Sequence, residues 1–116
     1  MEAEKKCPCH GIVVETRKDG KSTYELECHG DCDKGKCDKR REKDDHGTVI
    51  EWCGCEDGER TCNIYISTDA RGRQFIDCFT LGCKEGMECR LVALKREERD
   101  GFMRIEWTCA CVMLPC

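Results

Sequence analysis

Ile50-Glu51-Trp52-Cys53-Gly54-Cys55 recurs as Ile105-Glu106-Trp107-Thr108-Cys109-Ala110-Cys111. Self-similarity at a long, near-constant period marks a chain built by repetition. Upstream of each copy lies a triplet of cysteines, Cys28, Cys32 and Cys37 or Cys78, Cys83 and Cys89. Further upstream sits a single cysteine, Cys9 or Cys62, ahead of an alternating apolar run. Six cysteines therefore match six others in order, at offsets between 50 and 56 residues. The repeat divides the chain into two homologous cysteine-rich β modules, 7–57 and 58–116.

Each module reads as two hairpins, giving an all-β, disulfide-rich fold of about four short antiparallel strands per module. Ile12 to Thr16 meets Thr23 to Cys28 across Lys18-Asp19-Gly20-Lys21, and Asp-Gly between β-formers is a strong hairpin signal. Asn63 to Thr68 meets Gln74 to Cys78 around Asp69-Ala70-Arg71-Gly72. The later hairpins turn at Asp45-His46-Gly47 and at Arg99-Asp100-Gly101, where Arg90 to Leu94 faces Phe102 to Trp107. The equivalent first strand in module one, Asp38 to Lys43, is polar, so that copy is expected to be shorter or frayed. A helix over Met87 to Arg99 ranks second to a strand, because the matching segment Asp38 to Asp44 has no apolar stripe.

Period-2 alternation puts Ile50 with Trp52 on one face, and Met103, Ile105 and Trp107 on the matching face; these stripes are expected to form the core of each module. The copies differ by one residue, since Trp52 adjoins Cys53 whereas Thr108 separates Trp107 from Cys109. Such a slip reverses which face carries the cysteines, and a bulge at Thr108 is the expected repair.

The chain has 116 residues, of which 14 are cysteine, above the density that marks a disulfide scaffold. Leu, Ile, Val and Phe number only 19, so hydrophobic burial needs help from cross-links. Six cysteines per module make three bonds each, and one further bond joining Cys7 and Cys116, or one from each into its neighbouring module, uses all fourteen. Pairing of Cys7 and Cys116 between molecules is the alternative. Closure within Cys53-Gly54-Cys55 makes a small strained ring, so each is expected to reach into its module's triplet. The assigned disulfide cysteines are Cys7, Cys9, Cys28, Cys32, Cys37, Cys53, Cys55, Cys62, Cys78, Cys83, Cys89, Cys109, Cys111 and Cys116.

Metal is the competing use of the same residues. Cys28-x3-Cys32 and Cys78-x4-Cys83 lie within or near zinc spacing, and Cys-x-Cys suits soft metals. Yet no Cys-x-x-Cys occurs, and two four-thiolate sites leave six cysteines over. Zinc is thus the runner-up, and no cofactor or metal ligand is assigned. His10, His29 and His46 are each followed by Gly and read as turn markers. Asp31 to Glu42 brushes a calcium-loop pattern but carries Lys36 where that loop needs Gly.

A net charge of −4 with seven aromatics argues against nucleic acid, and no apolar run approaches a membrane span. No phosphate loop, nucleophile elbow or paired-carboxylate signature is present, so an enzyme is not expected. Cysteine at this density belongs to an oxidising compartment. The opening Met-Glu-Ala-Glu-Lys-Lys carries no signal-peptide pattern, which fits a mature exported form given an initiator Met. The alternative is an intracellular thermophile protein, since Asn and Gln occur once each among 38% charged residues. The favoured reading is an exported, non-enzymatic, disulfide-stabilised binding protein that engages a protein partner or itself. Its contact surfaces are expected at the unequal loops Asp38 to Gly47 and Lys95 to Gly101. Two alternatives stand beside it. One is a structural subunit of an extracellular fibre or coat, joined through β-edges or through Cys7 and Cys116. The other is a thiolate zinc or copper protein using Cys28, Cys32, Cys53, Cys55 and their repeat partners.

Overall fold

A computed structural model describes residues 8–32, 35–56 and 61–113. Cys7 and Cys116, whose pairing the count leaves open, lie outside the described residues. Among the described residues eight strands follow one another: β1 His10–Lys18, β2 Lys21–His29, β3 Asp38–Lys43, β4 Val49–Gly54, β5 Asn63–Thr68, β6 Gln74–Phe79, β7 Met87–Arg99 and β8 Phe102–Met113. No helix occurs among the described residues, and Met87–Arg99 is a strand. The polar β3 has 6 residues against the 13 of β7.

The hairpins form where the turn chemistry allows. Asp19 and Asp100 take positive φ ahead of Gly20 and Gly101, the backbone a tight two-residue turn demands. The other two tips are closed by aspartate side chains. Asp44 Oδ1 accepts from the amides of His46 and Thr48, and Asp69 Oδ1 accepts from those of Arg71 and Arg73. His46 thus sits in a turn as its Gly47 suggests. His29 likewise ends β2, and Gly30 turns the chain at positive φ, whereas His10-Gly11 lies within β1; the two histidines pair directly across the β1–β2 ladder.

The hairpins assemble into two antiparallel four-stranded sheets, β2-β1-β8-β7 and β3-β4-β5-β6. Each sheet takes one hairpin from each half of the chain. Replacing every strand by the one four places later turns the first order into the second read backwards, so the topology has an internal two-fold. The sheets pack face to face, β1 over β5 and β2 over β4, with β8 over β5 and β7 over β6.

One core lies between them, made of Val13, Leu26, Ile64 and Ile66 with Cys53, Cys78, Cys89 and Cys109. Half of these core residues are half-cystines, which is how a chain poor in aliphatic residues fills its interior. Gly11 is required at the centre. A Cβ there would lie 3.0 Å from both Ile64 Cγ2 and Leu26 Cδ1.

Among the described residues six disulfides bind the layers: Cys9–Cys37, Cys28–Cys53, Cys32–Cys55, Cys62–Cys89, Cys78–Cys109 and Cys83–Cys111. Every bond stays within its half of the chain, and the order of pairing is the same in both. Cys28–Cys53 joins β2 to β4 and Cys78–Cys109 joins β6 to β8, each fastening one sheet to the other. The members of Cys53-Gly54-Cys55 do reach separately into the triplet.

Of the two expected stripes, that of Trp107 lies inside and that of Trp52 does not. β8 keeps unbroken alternation with Ile105, Trp107 and Cys109 on the inner face, so Thr108 needs no bulge. The extra residue lies instead in the partner strand at Leu94, between Ala93↔Trp107 and Lys95↔Glu106. In β4 the buried residue is Cys53, and alternation therefore turns its neighbour Trp52, with Ile50, to the outside. Ladder registers agree: Val13↔Trp107 in one sheet occupies the place of Ile66↔Glu51 in the other. Trp52 accordingly stands where the second half has Thr108, not Trp107.

Candidate binding face

The outward turn of Trp52 builds a surface. Across the outer side of the second sheet, ladder pairing sets Arg40, Trp52, Tyr65 and Asp77 in one transverse row, one from each of β3, β4, β5 and β6. The next row carries Glu42, Ile50, Ser67 and Phe75. Phe79 leans into the first row, 4.6 Å from Tyr65 and edge-on to Trp52 at 5.7 Å between ring centroids. Such edge and tilted contacts suit the aromatic quadrupole. Gly54 makes room for them. A Cβ there would meet the Trp52 Nε1 at 3.1 Å and the Arg40 Cγ at 3.3 Å, so indole and arginine stem converge over the glycine.

Four of the seven aromatic residues, Trp52, Tyr65, Phe75 and Phe79, thus share one face, with Phe75 55% exposed. Charged groups bound it at both ends. Burial, followed by the Asp77 charge, raises the Tyr65 pKa above its ordinary value, so the phenol stays protonated as donor. The Arg40 Nε is buried without a hydrogen-bond partner among the described residues. Equivalent positions on the outer face of the first sheet hold Thr108, Ile12, Glu27, Glu25 and His29. The aromatic concentration therefore belongs to one face rather than to the fold. Spacing could have revealed it: once Cys53 is placed inside, Trp52 has to point out.

Elsewhere, Glu15 is the most enclosed carboxylate, only 2% exposed. Its oxygens accept from Trp107 Nε1 at 2.9 Å, Arg17 Nε at 2.6 Å and Ser22 Oγ at 2.8 Å. Burial pushes its pKa up, but these three hydrogen bonds and the Arg17 charge more than offset that and hold it below the usual range. With both oxygens engaged it serves as a tie between β1, β2 and β8.

The loops singled out by their unequal length lie at hairpin ends. Asp38 to Lys43 is the charged edge strand β3, and Lys95 to Gly101 runs down β7 to its tip. That tip sits beside the β1–β2 turn, and together they enclose an open cleft of about 580 Å³ lined by Arg17, Asp19, Glu98, Arg99 and Phe102. The sulfurs crowd as well: Cys9 with Cys32 and Cys55, Cys62 with Cys83 and Cys111, and Cys78 with Cys89 and Cys109 each lie within 4.8 Å. Each group contains a bonded pair, and a disulfide sulfur is not a thiolate ligand. No helix of the described residues is long and apolar enough to cross a membrane. No family model, curated protein or solved structure matches the chain.

Proposed function

We propose that this chain is an exported, non-enzymatic binding protein, a disulfide-clamped sandwich that presents the outer face of its second sheet to a protein partner. The observation that carries the reading is the row Arg40–Trp52–Tyr65–Asp77 with Phe75 and Phe79 beside it. Trp, Tyr and Arg are the residues that dominate binding energy at protein interfaces, and a rigid sheet holds them at low entropic cost. Six disulfides support an oxidising compartment. The hairpin tips are secondary contacts.

The test compares Phe75→Glu with a tip substitution, Asp45→Arg, on the oxidised chain in cross-linking capture of its partner. Phe75 is exposed, so the fold tolerates the change. Loss of the cross-linked species with Phe75→Glu alone supports the face; loss with Asp45→Arg alone assigns binding to the loops and overturns it.

Self-assembly through a strand edge is the second reading, favoured by β6. That edge has one charged residue, Asp77, in Gln74-Phe75-Ile76-Asp77-Cys78-Phe79, whereas every residue of the β3 edge is charged. Against it, the Cys78 amide already donates to its neighbour Asp77 Oδ1 at 2.8 Å. Sedimentation of the oxidised chain decides, since fibre or coat subunits would sediment as oligomers that depend on concentration.

A further inference from the structure

We propose that His10, His29 and Glu27 form a surface site for a divalent metal of the zinc class. His10 and His29 face each other across the β1–β2 ladder, their rings stacked at 6.0 Å between centroids and 29° apart. Glu27 stands two residues before His29, on the same face of β2. Its Oε2 lies 3.6 Å from His29 Nε2. Two imidazoles and a carboxylate are the donor set of many three-ligand zinc sites, with metal–nitrogen distances of about 2.0–2.1 Å.

The tautomer of His10 is already set for ligation. Its Nδ1 lies 2.8 Å from the Pro8 carbonyl oxygen, which can only accept. Nδ1 therefore carries the proton and the Nε2 lone pair is left outward. A ligating histidine ordinarily donates its other ring N–H to a carbonyl in this way. His29 and Glu27 side chains are each 48% exposed, so a rotation about their side-chain bonds brings three donors onto one ion without disturbing the core. Imidazole donors favour zinc, nickel and copper over magnesium or calcium.

This pair has no counterpart in the second half. There the same ladder position holds Asn63↔Phe79, with Asp77 in place of Glu27. The fold accommodates a non-ligating pair at that position, and the histidines are an addition to one copy.

Zinc chloride is titrated into the oxidised full chain after iodoacetamide has blocked any free thiol, with calorimetry and histidine ring NMR as readouts. The expected result is saturable one-to-one binding in which the His10 and His29 signals shift and His46, in the β3–β4 turn, does not. The double variant His10→Asn/His29→Phe copies the pair of the other half. With the same number of disulfides as the parent by mass, it loses the isotherm. Absence of saturable binding, an equal shift at His46, or undiminished binding by the folded double variant overturns the site. None of these outcomes bears on the aromatic face, which lies on the other sheet.

Discussion

Replacing Asn63 by alanine tests how the two sheets are joined. The β1–β8 ladder begins at Val13↔Trp107, so the backbone groups of Gly11 that face β8 lie beyond its end. Side chains satisfy them instead. Asn63 Oδ1 accepts from the Gly11 amide at 3.0 Å, and Thr108 Oγ1 donates to the Gly11 carbonyl at 2.8 Å. Asn63 also takes the Ile64 amide at 2.9 Å and donates through Nδ2 to the Cys53 carbonyl. It is 6% exposed, and water cannot take over. Asn63→Ala thus strands the Gly11 amide and the Cys53 carbonyl, each costing about 1–3 kcal/mol, for a total of about 2–6 kcal/mol. Guanidinium unfolding under non-reducing conditions measures this as a lower midpoint at unchanged slope. Asn63→Asp keeps the acceptor but sets a carboxylate oxygen against the Cys53 carbonyl, so its loss is at least as large. Either variant lying within about 0.5 kcal/mol of the parent, the scatter of ordinary surface substitutions, refutes the reasoning.

Three further outcomes follow from the core and its ties. Gly11→Ala drives a methyl to 3.0 Å from Ile64 and Leu26 and lowers stability by about 1–3 kcal/mol in the same assay. Removing Cys78–Cys109 as a double alanine variant releases a separation of 31 residues and lowers stability by about 3–4 kcal/mol from chain entropy alone. The two vacated core positions add to that. Glu15 has its pKa lowered from 4.5 in the fold, so its stabilisation is present above the unfolded value and is lost as pH falls through the folded one. Unfolding free energy measured on descending pH below about 4.5 therefore falls more steeply for the parent than for Glu15→Gln.

Much of the fold is legible in local sequence because its turns are chemically marked. Asp-Gly at 19–20 and 100–101, with Asp45-His46-Gly47 and Asp69-Ala70-Arg71-Gly72, place all four turns, although β7 and β8 run several residues beyond the expected Arg90 to Leu94 and Phe102 to Trp107. The candidate binding face is not legible in the same way. Ile50-Glu51-Trp52 and Ile105-Glu106-Trp107 look like equivalent stripes, and alternation alone makes each a core. Alternation says which residues share a face but not which face is inside. What breaks the tie is the inward demand of the cysteines. Cys53 and Cys109 both bond across the sheets, and the one-residue difference in their distance from tryptophan sends Trp107 in and Trp52 out. The histidines show the same limit. Local sequence reads His10-Gly11 as a turn like His29-Gly30, where Gly30 does take positive φ, whereas Gly11 lies within β1 and is needed because Ile64, from the other half of the chain, packs against it.

The sequence by itself therefore determines the all-β class, the hairpins and their turns, and the matched order of the cysteines, because these rest on interactions between near neighbours. Only the tertiary structure decides that each sheet draws a hairpin from both halves and that a single sulfur-rich core lies between them. It alone also decides that one outer face carries the aromatic row while the other carries the histidine pair. Those outcomes depend on pairings such as Val13↔Trp107 and Asn63 with Gly11, between residues far apart in the chain. Their free energy comes from burial and hydrogen bonding across the sandwich, which no local pattern encodes.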